Sequence, residues 1–130
     1  MKKTVAVDLD GVLAKYDGFK GVGVIGDPIP GAVDFTRKLS KIARVLIYTT
    51  RTNKQIKDNA AYSSDELVIM IKDYLDKHGF SYDRIHTGAG KPLAAAYVDD
   101  RAVNCRPMED HPDLAFSLAE DSVKWLFFKA

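Results

Sequence analysis

A single cysteine, Cys105, stands in the whole sequence. That excludes an internal disulfide and points to a reducing, cytoplasmic setting. A lone cysteine in a globular chain is expected to be a small buried residue. Long apolar runs are also missing: none approaches the roughly 20 residues of a membrane-spanning helix. The basic start Met1-Lys2-Lys3 leads into an apolar run broken by Asp8 and Asp10, too short and too acidic for a secretion signal. No membrane partner is therefore expected. Charge of one sign is scarce, since 19 basic and 18 acidic residues leave a formal net charge of +1. This gives no chain-wide electrostatic case for nucleic acid or a lipid surface. The three histidines, His78, His86 and His111, lack metal-ligand spacing, and no internal repeat or low-complexity tract is present.

What is there describes an ordinary globule, with 130 residues of which 46% are hydrophobic, enough for one domain over 1–130 with its own core. Thr4 to Val7 reads as a first strand, apolar enough to be buried on both faces. Residues 15–31 are glycine-rich and proline-punctuated, hence a loop. Ala32, Val33, Phe35, Thr36, Leu39, Ile42 and Ala43 carry a helical period. Val45 to Tyr48 is a second buried strand. Ser63 and Glu66 form a capping-box pattern that opens a helix running to about His78, stopped by Gly79. Arg84-Ile85-His86 and Ala95 to Val98 are third and fourth strands. From Pro112 the tail is helical in its first part, with Leu114, Leu118, Val123 and Leu126 available for packing, and Trp125, Phe127 and Phe128 are expected to pack the C-terminal segment. Strands alternating with helices predict an α/β fold, three-layered and Rossmann-like, around a central parallel sheet. Ligands of such sheets sit at the carboxyl ends of the strands.

Those strand ends are polar. The first delivers Asp8 and Asp10 followed by Gly11. Neighbouring acids repel unless a cation relieves them, and a hard ion such as Mg²⁺ takes oxygen ligands while leaving room for phosphate. The second strand ends Thr49-Thr50-Arg51, the third leads to Lys91-Pro92, and the fourth ends Asp99-Asp100-Arg101. Each run has a bland alternative: a threonine with strand preference, a solvated arginine or lysine, an acid pair capping the next segment. Four polar strand ends in this order argue against coincidence.

Asp8-Leu9-Asp10-Gly11-Val12-Leu13, with the three runs that follow, resembles the four motifs of the haloacid dehalogenase-like phosphohydrolases. The resemblance spans Asp8 to Arg101. It implies a capless member of that fold, with a Mg²⁺ cofactor, acting on a phosphorylated substrate. Asp8 would attack phosphorus and form an aspartyl-phosphate, and Asp10 would serve as general acid and base. Thr49 and Lys91 would complete the catalytic set. The Leu9 backbone N–H, Thr50 and Arg51 would bind phosphate, Arg51 through a bidentate contact. The metal would be held by Asp8, the Asp10 carbonyl and Asp100, with Asp99 acting through water. Lys91 departs from the commonest pattern, because no helix fits between it and Asp99.

Neither gap between motifs holds a cap domain. Residues 15–31 fall where the family places its flap, and Lys15, Tyr16, Phe19 and Lys20 there are candidates to touch substrate. An open site favours a large substrate, a nucleic-acid end or a protein, the nucleic-acid end through similarity to the phosphatase half of polynucleotide kinase-phosphatases; a small phosphorylated molecule is the other expected partner. A site completed by a second subunit of a homo-oligomer is a further alternative, as is a non-catalytic phosphate- or metal-binding module of the same fold. Two decoys fail. Gly21 to Gly26 spells GxGxxG but neither follows a strand nor opens a helix, and Gly88-Ala89-Gly90-Lys91 lacks the first glycine and the Ser or Thr of a phosphate-binding loop.

Overall fold

β1 (Lys3–Asp8) is the strand on which the fold is built, and the computed structural model places it between two parallel neighbours. The structure describes residues 2–88, 90–109 and 111–128, and the side chains of all of these except Asp58, Phe127 and Phe128. β2 (Ala43–Tyr48) pairs with β1 from Lys3↔Ala43 to Asp8↔Tyr48. β3 (Arg84–Ile85) lies outside β2, and β4 (Ala96–Val98) pairs on the other side of β1, giving the order β3-β2-β1-β4, all parallel. The third strand is one residue shorter than expected, although the His86 N–H still donates to the Ile47 carbonyl at 2.8 Å.

Alternation of side chains along a strand decides what each face meets. Val7 and Leu9 of the first strand and its end, with Val45 and Ile47 of β2, are fully buried and form one cluster with Ala32, Ile71, Leu75 and Phe80. Those partners come from α1 (Ala32–Leu39) and α2 (Ser64–His78) or from the turn after it. Both crossover helices therefore cover the same face, as right-handed connections stepping in one direction require.

α1 ends earlier than its apolar period suggests. Ser40 caps it, turn bonds follow from Lys41 to Lys38 and from Ile42 to Leu39, and Ala43 enters β2. Ile42 consequently points to solvent at 76% exposure rather than into the core. α2 matches its sequence signals. The Ser63 hydroxyl accepts from the Glu66 N–H at 3.1 Å, the Glu66 carboxylate accepts from the Ser63 N–H at 3.0 Å, and Gly79 closes the helix at φ 79°. Ser63→Ala is expected to cost about 1 kcal/mol, a fall of about 3–5 °C in thermal unfolding. An unchanged melting temperature would mean that packing of Leu67, Ile71 and Leu75, not the cap, holds this helix start.

The chain divides into two compact units, Met1–Asp100 and Arg101–Ala130. Within the second, α3 (Pro112–Phe128) is helical along its whole length, beyond the first part that the sequence suggested. Leu114, Leu118 and Val123 are exposed at 56%, 56% and 41%, and Trp125 at 62%, whereas Leu126 is half-buried. The side chains of Phe127 and Phe128 lie outside the described residues. Cys105 is exposed, not buried as expected, because it sits in an irregular segment, where its thiol donates to the Ala115 carbonyl at 3.8 Å. No described helix is long and apolar enough to cross a membrane.

Candidate active site

Chain order fixes where a site can form. From β1 the chain steps to β2 and β3 on one side, then returns to β4 on the other. The crevice between β1 and β4, outside their carboxyl ends, is the switch point at which parallel sheets bind ligands. Register sets Val7 beside Val98, so the chain leaves these strands through Asp8 on one and Asp99-Asp100 on the other. One carboxylate oxygen from each of Asp8, Asp99 and Asp100 lies within 4.8 Å of the other two.

Bringing three acids together has an electrostatic consequence. Burial, then repulsion from Asp99, pushes the Asp8 carboxyl up to about 7, and Asp100 adds repulsion and a side-chain hydrogen bond. The Leu9 N–H opposes this by donating to Asp8 Oδ1 at 2.9 Å. That amide, expected from the sequence to face phosphate, is directed here at the carboxylate itself.

Gly11 lets the cluster close. Its φ of 87° lies in the left-handed region, and a Cβ built there would overlap the Asp100 carboxylate. Only a residue without a side chain permits both the turn and that approach. The turn is tied by Leu13 and Ala14 N–H groups, each donating to the Leu9 carbonyl at 2.9 Å.

Thr49 follows β2 and is buried, its hydroxyl accepting from the Arg51 N–H at 3.2 Å and so capping the short 3₁₀ turn Thr50–Thr52. With Asp8 paired to Tyr48, Thr49 stands at the same sheet edge as the acids. Thr50 is exposed, and its carbonyl accepts from Asn59 Nδ2 at 2.7 Å.

Arg51 departs from both sequence expectations. It is neither a free phosphate contact nor solvated, being only 3% exposed. Nε donates to Asp10 Oδ2 at 2.7 Å and Nη2 to Asp10 Oδ1 at 3.0 Å. Nη1 donates to the Gly21 and Val22 carbonyls, both at 2.9 Å, and Nη2 to the Val24 carbonyl at 3.1 Å. A guanidinium has five N–H donors, and all five are committed within the protein. Sequence inspection missed this role because the acceptors are backbone carbonyls of a loop, which leave no trace in side-chain pattern.

That loop is the flap. Its base is closed by the Lys15 N–H on the Asp27 carbonyl and the Ile29 N–H on the Leu13 carbonyl, both at 2.8 Å. The Tyr74 hydroxyl holds the Gly26 carbonyl at 2.7 Å. Phe19 lies across the Arg51 guanidinium, 5.6 Å from ring centroid to Cζ, while Tyr16 is exposed and Lys20 pairs with Asp17. No helix opens at Gly26, since α1 begins only at Ala32 after Asp27-Pro28-Ile29-Pro30, in keeping with rejection of the dinucleotide motif.

Lys91 stands in the connection between β3 and β4. It is exposed, with its ammonium 4.5 Å from the centroid of the Tyr97 ring, and the groups acting on the Asp8 carboxyl are Asp99, Asp100 and the Leu9 N–H. Residues 91–94 carry no regular secondary structure, and the Tyr97 hydroxyl donates to the Pro92 carbonyl. His86 Nε2 is engaged with the Gly90 carbonyl at 2.9 Å. Ala89 of the same loop lies outside the described residues.

The oxygen cluster fits a hard divalent ion. An octahedral Mg²⁺ with oxygens at about 2.1 Å holds neighbouring ligands about 3.0 Å apart and opposite ones about 4.2 Å apart, so three oxygens within 4.8 Å of one another can share an ion after closing by at most about 1.8 Å per pair. A cation there also relieves the repulsion that burdens Asp8.

Comparison with solved structures accords with the architecture. A crystallised protein from Vibrio cholerae superposes with a TM-score of 0.54 at 27% identity, over 92% of this chain and 98% of that one. A conserved protein from Bacteroides thetaiotaomicron superposes with a TM-score of 0.51 at 22% identity, over 93% of each chain. No protein-family model and no curated protein sequence matches the chain. What the neighbours support is the parallel-sheet, Rossmann-like α/β fold.

Proposed function

We propose that this chain is a Mg²⁺-dependent phosphomonoester hydrolase, a small capless member of the haloacid dehalogenase-like group, working through an aspartyl-phosphate on Asp8. The observation that carries the reading is the meeting of Asp8, Asp99 and Asp100 at the switch point of the sheet, with ligand atoms within 4.8 Å of one another. An acid cluster alone has other uses. An acid cluster beside buried Thr49, with Asp10 two residues along and a flap folded down, matches phosphoryl transfer better than simple ion storage.

The metal would be held by Asp8, Asp99, Asp100 and the Asp10 carbonyl, and when bound it supplies charge neutralisation between nucleophile and phosphate. The Asp8 carboxylate attacks phosphorus in line, and the bond to the leaving oxygen breaks. Asp10 gives that oxygen a proton, then takes one from the water that hydrolyses the acyl phosphate. The Arg51 fork uses one lone pair on each Asp10 oxygen, and each keeps a second for this exchange. Thr49 and backbone N–H groups stabilise the equatorial oxygens. Lys91 would add a positive charge to the same oxygens.

The test is hydrolysis of nitrophenyl phosphate with and without Mg²⁺. Turnover that disappears with a chelator and returns with Mg²⁺ is expected. Binding of Mg²⁺ and inorganic phosphate without turnover of any phosphomonoester would favour the non-catalytic module. Screening nucleotides, sugar phosphates and end-phosphorylated oligonucleotides then separates small-molecule from nucleic-acid-end substrates.

A further inference from the structure

We propose that Arg51 is a positioning residue that locks the tip of the flap to the Asp10 carboxylate, so that the acid/base is aimed only while the flap is docked. This rests on the hydrolase reading for its catalytic half, while its mechanical half stands on geometry alone. One buried guanidinium spans two parts of the chain, the Asp10 carboxylate and the flap tip. It makes two bonds to Asp10 on one side and three to the Gly21, Val22 and Val24 carbonyls on the other.

The planar, rigid fork of arginine explains why this residue type stands here. A lysine carries the same charge but three donors on a flexible stem, and cannot span a carboxylate and three carbonyls in fixed directions. A buried ion pair fixes orientation more dependably than it adds stability. Phe19 covers the guanidinium from the flap side, excluding water from the bonds.

The flap has two sets of attachments, and they are separable. Its base is tied through Lys15, Ile29 and the Tyr74 hydroxyl, none of which involves Arg51. Its tip is bonded to the guanidinium through three carbonyls, with Val22 buried and Gly23 facing Met70. Disturbing Asp10, which makes no bond to the flap tip itself, should therefore loosen the tip and spare the base.

Amide hydrogen exchange tests the lock without any assay of turnover. In Asp10→Asn, a nearly isosteric change that removes one acceptor of the fork, the Val24 amide is expected to exchange about ten-fold faster. The Lys15 and Ile29 amides should stay within about two-fold of wild type. An unchanged Val24 amide, or equal acceleration at all three, overturns the proposal. Kinetics test the aiming. In Arg51→Lys, kcat on a simple alkyl phosphate should fall at least about ten-fold further than kcat on nitrophenyl phosphate, whose leaving group needs little protonation, with KM changed less than about three-fold. Equal losses on both substrates would assign Arg51 a purely structural role and overturn it. Should the wild type hydrolyse neither substrate, the phosphatase reading fails by itself, and the exchange result alone decides the lock.

Discussion

Replacing Asp8 with asparagine is expected to abolish hydrolysis while making the metal-free protein harder to unfold. The two effects have one origin. An amide cannot attack phosphorus, so turnover should drop by at least about 10³-fold, the scale on which removal of a reacting group is felt. The same change deletes a charge from the most crowded acidic spot described in the chain. Burial and the facing Asp99 and Asp100 hold the Asp8 carboxyl at about 7. A carboxyl raised in the folded state binds its proton more tightly there than in the unfolded chain. Its contribution to stability is therefore fully present below the ordinary aspartate range and declines as pH rises from about 4 to about 7. The group is part-exposed, so water and salt screen much of the repulsion. A gain for the variant on the order of 1 kcal/mol at pH 8 follows, or about 3–5 °C in melting temperature. The gain should vanish near pH 4. Thermal unfolding in the presence of a chelator at the two pH values measures it, and a variant less stable than wild type at pH 8 would mean that the three carboxylates do not repel as described.

Gly11→Ala is expected to damage cation binding more than its single methyl suggests. Alanine at φ 87° meets the left-handed penalty of about 1–2 kcal/mol. The added carbon also falls on the Asp100 carboxylate, so Asp100 must swing away from Asp8 and Asp99. Displacing a group that orients a metal site typically costs about 10–100-fold in affinity, and the Mg²⁺ concentration for half-maximal activity should rise by that factor. Titration calorimetry with Mg²⁺ gives an independent reading. An unchanged Mg²⁺ requirement in a folded Gly11→Ala protein would show that Asp100 has no part in holding the ion.

The strand ends were the most legible part of the molecule, and for a physical reason. A strand is apolar where it packs, so a change to polar residues marks its end, in central β1 and equally in the edge strand β4, whose Ala96 and Tyr97 are exposed. Val5 to Val7 giving way to Asp8, and Tyr97-Val98 giving way to Asp99, announced the sheet edge and its acids together. The capping box at Ser63 and the stop at Gly79 were equally plain, because each is a local hydrogen-bond arrangement carried by adjacent residues. Arg51 was not legible in the same way. Its side chain answers to carbonyls of Gly21, Val22 and Val24, and those are placed by how the flap folds back, not by any residue type. Ile42 misled for a related reason: its spacing continued the helical period, but the chain had already turned at Ser40. Lys91 occupied the expected place in the order of motifs, yet order along the chain does not aim a long flexible side chain.

The sheet closes unevenly. β1 meets β2 along six registered pairs but meets β4 along only three, and Val7 and Val98 are 91 positions apart. So distant a contact is slow to form and carries a large loop-closure cost. Yet this three-pair seam, thinner than the one between β1 and β2, supplies Asp99 and Asp100. An ion gripping both sides of it would act as a clasp between the first and last strands of the first hundred residues.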